Sequence, residues 1–81
     1  MKVTVLFFAQ VRERAGRASA ELSLPEGSRL ADALTVLSRE YPALDPLWPH
    51  LAIAVNGRLA QPEAPLEQGA ELALLPPVSG G

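Results

Sequence analysis

Few residues of this sequence can do chemistry. There is one histidine, His50, and no cysteine, and the Ser, Asp and Glu residues are separated by strand and turn signals rather than gathered. Neither a nucleophile with its base nor a metal-binding cluster is visible, and thiolate chemistry and most zinc sites are excluded. His50 follows Pro49 and reads as a structural or exposed loop residue rather than a catalytic one. What stands out is the last stretch, PPVSGG at residues 76–81. Pro76 and Pro77 hold φ near about −65° and favour an extended rod, and six residues reach at most about 20 Å. Gly80 and Gly81 lack a Cβ, so they pass through a narrow channel and take dihedrals denied to other residues. A slim end of this kind presents its own carboxyl. A carboxylate resists nucleophiles until one oxygen becomes a good leaving group, and the usual biological solution is an acyl-adenylate made from ATP. A sulfur donor then yields a thiocarboxylate, and an amine yields an amide. A frayed end or a cloning remnant would also be small and slim. The residues alone leave a working tail and an inert one equally open.

The totals restrict what can position such a tail. At 81 residues there is room for one modest core, and the many Leu and Val residues supply enough apolar surface to fold without disulfide or metal. The formal charge is −2, and the seven cations are scattered along the chain, which leaves no footprint for a phosphate backbone. Nucleic acid is not expected as a ligand. The apolar run from Val3 to Ala9 is far shorter than the roughly 18 residues of a spanning helix and lacks a cleavage-site pattern, so no membrane partner is expected and the chain reads as cytoplasmic. Trp48 and Tyr41 read as packing residues, and Arg12, Glu13 and Arg14 as a solvated loop.

The β-branched and aromatic run predicts a strand over Lys2–Ala9, apolar on both faces and therefore central. Residues 10–16 read as a turn and crossing. Ala20, Leu22 and Leu24 alternate with polar residues as a second strand. Ser28 is the expected N-cap of a helix, whose buried face is Leu30, Ala33, Leu34, Leu37 and Tyr41 at helical spacing. Pro42 ends that helix. Residues 43–50 read as irregular, with a helical turn at Asp45 and Pro46. Leu51–Asn56 is the third strand, and Asn56-Gly57 is a type I′ turn returning as a short edge strand over Arg58–Ala60. A turn at Gln68 and Gly69 leads into a last strand, Glu71–Leu75. This order predicts an α+β fold of the β-grasp type: a mixed sheet of four to five strands with one main helix packed on one face. The first and last strands lie side by side in the middle. Residues 1–75 form the domain, and residues 76–81 a flexible C-terminal tail.

Parity then assigns faces. With Val3, Val5, Phe7, Leu72 and Leu74 in the core, Phe8 and Leu75 fall on the opposite face, and Leu59 of the edge strand adds to them. An exposed apolar patch of this kind marks a partner surface.

FFAQVRE at 7–13, AVNG at 54–57, PLEQGAEL at 65–72 and LLPPVSGG at 74–81 closely resemble the family of small, sulfur-carrying subunits of molybdopterin synthase, over essentially the whole chain. The resemblance implies a ubiquitin-like β-grasp sulfur carrier of molybdenum cofactor biosynthesis that is not an enzyme by itself and holds no permanent cofactor. It implies that an E1-like adenylyltransferase consumes ATP to adenylate Gly81, and that a sulfur donor protein converts the adenylate to a thiocarboxylate. The large synthase subunit then uses that sulfur to build the dithiolene of molybdopterin from cyclic pyranopterin monophosphate, in a heterotetramer of two small and two large subunits. Partner-binding positions implied in this way are Phe8, Leu59 and Leu75 on the face, and Pro76, Pro77, Val78, Ser79 and Gly80 in the tail. A chain ending at Gly81 would need no protease to release its reactive end. Ala70 departs from the family's turn, which often carries Asp there, and a weaker turn is expected. A carrier for thiamine or tRNA thiolation and a ubiquitin-like protein modifier share the same activation step and differ in the acceptor.

Overall fold

The computed structural model describes residues 1–77; the positions named above at Val78, Ser79, Gly80 and Gly81 lie outside the described residues. The described residues form five strands: β1 (Lys2–Phe7), β2 (Ser19–Ser23), β3 (Ala52–Val55), β4 (Arg58–Leu59) and β5 (Glu71–Leu75). They make one mixed sheet in the order β2-β1-β5-β3-β4. β1 and β5 are parallel and central, and the remaining pairs are antiparallel. This is the ubiquitin-like β-grasp arrangement expected from the element order. The central pair explains its own sequence, because strands flanked on both sides carry apolar residues at nearly every position.

Helix α2 (Leu30–Glu40) covers one face. Leu30, Ala33 and Leu37 recur at helical spacing and are fully buried against Val3, Val5, Phe7, Leu72 and Leu74 of the sheet. Each such leucine contributes about 1.5–3 kcal/mol by leaving water. Tyr41 caps the helix C-terminus and sets its ring edge against Phe7, with centroids 5.3 Å apart at 65°. The helix N-cap is Arg29 rather than Ser28. The Ser28 hydroxyl instead donates to the Pro25 carbonyl (2.7 Å), while the Asp32 carboxylate accepts the Arg29 N–H (2.7 Å) and so satisfies an amide at the positive end of the helix.

Two elements depart from the expected loops. Residues Ala9–Ala15 form a short helix, α1, so Arg12, Glu13 and Arg14 are exposed helix positions. Val11 is its fully buried anchor, Ala15 one turn later packs on the same core, and Gly16 closes it at φ +78° in the left-handed cap that glycine allows. Residues Pro42–His50 form a 3₁₀-helix, not irregular chain with a single turn. Three residues per turn put Leu44 and Leu47 on one side, and both are buried. The fold therefore carries this element and α1 beside its main helix.

Three strands are shorter than the sequence suggests: β1 stops at Phe7, β3 loses Leu51 and Asn56, and β4 loses Ala60. Asn56 (φ +50°) and Gly57 (φ +83°) form the predicted hairpin turn. Asn56 also ties it to β5, its side-chain oxygen accepting the Glu71 N–H and its own N–H donating to the Glu71 carbonyl. The turn before β5 is not loosened by Ala70, which is buried, donates to the Glu67 carbonyl and accepts the Thr4 N–H.

Candidate functional site

The face of the sheet away from α2 is organised by register. Paired residues on neighbouring strands point the same way, and the ladder Leu6–Ala73–Ala54–Leu59 crosses the sheet from β1 to β4. One step further along, Phe8 is level with Leu75, which pairs with Ala52. Phe8 sits beyond the end of β1 but keeps extended dihedrals (φ −117°, ψ 150°), so the alternation runs through it. In the other direction the same face carries Thr4, Glu71 and Glu21, then Lys2 and Ser23. The face is thus apolar where β5 ends and polar at the opposite pole.

The parity assignment holds. Phe8 is 43% exposed and Leu59 74%, the two large exposed hydrophobics among the described residues, while Leu75 is half-buried. Ala52, Ala54 and Ala73 between them have little side chain, and Ala54 is only 7% exposed. These small side chains separate Phe8 and Leu6 on one side of the face from Leu59 on the other. Pro76 and Pro77 leave the sheet at its apolar end, Pro76 half-buried and Pro77 exposed.

Phe8 is set by the chain reversal into α1. Ala9 takes φ +48°, a left-handed conformation that costs an L-residue about 1–2 kcal/mol, and the Phe8 carbonyl accepts the N–H groups of Val11 and Arg12. The reversal lets α1 fold down toward the core while Phe8 stays on the outer face. Arg12, Glu13 and Arg17 border a small recess of α1 at this pole. His50 is exposed at the end of the 3₁₀-helix, two residues before Ala52, which pairs with Leu75. It has no nucleophile or carboxylate hydrogen-bonded to it among the described residues, in keeping with its reading as a surface residue.

A feature not read from the sequence is a groove of about 520 Å³ along the β3–β4 edge, between α2, the 3₁₀-helix and the segment after β4. Leu30, Leu34, Trp48, Ile53 and Leu59 line it. Trp48 packs on the core as expected, but its indole N–H is buried without an acceptor among the described residues. Its signal in the sequence was slight, because the prolines around Trp48 hide the regular element that carries it. No helix among the described residues is long and apolar enough to cross a membrane.

Among the described residues, then, the apolar end of the outer face and the root of the tail coincide, without a catalytic constellation beside them. Comparison with known proteins bears on what such a surface serves. A model of the ThiS family matches residues 5–81. The molybdopterin synthase sulfur carrier subunit of Chlamydomonas reinhardtii is 35% identical over 83 aligned positions, covering 100% of both proteins. The crystal structure of small archaeal modifier protein 1 from Haloferax volcanii superposes with a TM-score of 0.91 at 30% identity, again over 100% of both chains. A chain from the complex of subunits 1 and 2 of molybdopterin-converting factor from Helicobacter pylori gives a TM-score of 0.77 at 29% identity, with 100% of each chain covered.

Proposed function

The chain belongs to the ThiS family, and from that premise we propose that it is a sulfur carrier, the small subunit of a molybdopterin synthase. The observation that carries this reading is that the likeness to a molybdopterin synthase sulfur carrier subunit spans the entire chain and so takes in the PPVSGG arm. The arm's chemistry is that of its terminal carboxyl. In an E1-like adenylyltransferase the Gly81 carboxylate attacks the α-phosphorus of ATP, pyrophosphate leaves, and an acyl-adenylate forms. Sulfur delivered by a donor protein at the sulfide level attacks the carbonyl carbon, a C–S bond forms as the C–O bond to AMP breaks, and Gly81 ends as a thiocarboxylate. ATP is consumed by the partner, and the carrier keeps no cofactor of its own.

The thiocarboxylate then enters the large synthase subunit, where its sulfur passes to cyclic pyranopterin monophosphate. That subunit supplies the catalytic side chains, and two carriers serve the two sulfurs of the dithiolene in an assembly of two small and two large subunits, in the cytoplasm. Phe8, Leu59 and Leu75 form the docking face. Pro76 and Pro77 direct the arm, Val78 and Ser79 give the partner purchase, and Gly80 and Gly81 pass the constriction. Support for the face comes from the coincidence of the apolar end of the sheet with the tail root, and from the Helicobacter pylori chain, which is part of a complex of subunits 1 and 2.

The test is reconstitution. The chain in its thiocarboxylate form is mixed with a large subunit and cyclic pyranopterin monophosphate, and dithiolene product is measured. Product in proportion to thiocarboxylate supports the reading; none, with a large subunit active toward another carrier, overturns it. A second reading, a protein modifier, is favoured by the likeness to small archaeal modifier protein 1. It predicts isopeptide conjugates of Gly81 on other proteins in extracts of the source cell, where a thiamine or tRNA carrier would instead hand sulfur to a different acceptor.

A further inference from the structure

We infer that the distribution of amines in this chain keeps its activated carboxyl from acylating the chain itself, so that an acyl group at Gly81 is available only to an external acceptor. The inference rests on the reading that Gly81 is activated. The competing reaction is simple: a free amine attacks the activated carbonyl, a C–N bond forms, the C–O bond to AMP breaks, and the amine's proton passes to water. The product is an amide from which no sulfur can be loaded.

The sequence holds one lysine against six arginines, and the fold places that lysine at the end of the sheet opposite the tail root. Lys2 pairs with Ser23 at the start of β1, whereas Leu75 is level with Phe8 beyond the end of β1. The separation is six residues of strand, roughly 20 Å at about 3.3 Å each. An arm with a reach of about 20 Å would have to double back flat along the sheet to arrive, and its first two residues are prolines, which have no N–H with which to pair onto a strand. The Met1 ammonium lies at the same far pole, part-buried and donating to the Leu24 carbonyl at 2.6 Å.

At the near pole the exposed cations are all arginine. Arg12 and Arg14 lie on α1 and Arg17 just after it; Arg39 is in the last turn of α2, two residues before Tyr41, which touches Phe7. A guanidinium holds its proton and does not attack a carbonyl, where a lysine supplies a fraction of free amine. An acyl group passed to the His50 imidazole is lost to water and leaves no amide.

The experiment uses the full chain as a Gly81 thioester of mercaptoethanesulfonate, which is electrophilic without any partner enzyme. Wild type is compared with the combined Arg12→Lys, Arg14→Lys, Arg17→Lys variant and, separately, with Arg39→Lys, each checked for a wild-type melting curve. The lysine variants are expected to form an internal amide, seen by intact mass and peptide mapping. A short tether gives an effective concentration of order mM, so ring closure should exceed amide formation between molecules at ~10 μM by about 100-fold. Wild type should give only hydrolysis and a trace of dimer that scales with concentration. Folded lysine variants that cyclise no more than wild type would overturn the inference, as would a concentration-independent Gly81–Lys2 amide in wild type. Failure of the sulfur-carrier reading appears separately, in the partner assays.

Discussion

On the docking face proposed above, Leu59 is the side chain at which folding and partner binding should separate most cleanly. It is 74% exposed in the free chain, and full burial of a leucine contributes about 1.5–3 kcal/mol. The quarter already buried therefore accounts for roughly 0.5 kcal/mol of folding stability, and the remaining three-quarters for roughly 1.5 kcal/mol when a partner covers it. Leu59→Thr removes most of the apolar surface yet keeps a residue that suits an edge strand. Urea unfolding should shift by no more than about 0.5 kcal/mol, while calorimetric titration with the large subunit should show Kd raised about tenfold. Phe8 provides the contrast. At 43% exposure, the ring divides its area nearly evenly, so Phe8→Ala should cost about 1.5 kcal/mol in folding and about 1 kcal/mol in binding. An unchanged affinity for Leu59→Thr, with the partner otherwise active, would refute the assignment of this face; a stability loss above about 1.5 kcal/mol would refute the division.

Other outcomes follow from single positions. Leu44→Ala, at a fully buried site of the 3₁₀-helix, should cost about 2–5 kcal/mol. That is a large share of the total for a domain of this size, and a loss below about 1 kcal/mol in chemical denaturation would show that this element is not part of the core. Ala9→Gly relieves the left-handed φ of +48° and should leave stability unchanged or raise it by about 1 kcal/mol; a clear drop in melting temperature would contradict the strain. Asn56→Ala keeps the positive φ but loses the 2.9 Å bond from the Glu71 N–H, for an expected cost of about 1–2 kcal/mol. Asn56→Gly should recover the part due to the dihedral alone, which unfolding curves of the pair will separate.

The sheet and α2 were legible because their signals are periodic. Alternation in β1 and β5, and the 3–4 spacing of Leu30, Ala33 and Leu37, come directly from the side-chain periods of strand and helix. Asn56-Gly57 was legible for a local reason, since few other pairs accept two positive φ angles. α1 was missed because seven residues with one fully buried anchor, Val11, give almost no periodicity; the available signal was the Val11–Ala15 spacing followed by Gly16. The 3₁₀-helix was hidden by Pro42, Pro46 and Pro49, which are usually read as breakers, although a three-residue repeat tolerates them and aligns Leu44 with Leu47. The N-cap slipped by one residue because Arg29 keeps extended dihedrals and bridges Pro65, so the helix begins only at Leu30. At the candidate site, parity was enough to put Phe8, Leu59 and Leu75 outside. It was silent on the groove beside Trp48, which depends on how three elements meet. The chemistry at Gly81 was never in the periodicity at all: the residues left the tail undecided, and resemblance and family supplied its reading.

In the proposed function the reactive group of this protein is the carboxyl of Gly81. The direct measurement is intact mass of the chain after incubation with ATP, an E1-like activator shown to be working, and a sulfur source. The expected result is a gain equal to sulfur replacing one oxygen, located by fragmentation at Gly81 and absent when Gly80 and Gly81 are deleted. An unchanged mass, or a sulfur located anywhere else in the chain, would contradict it.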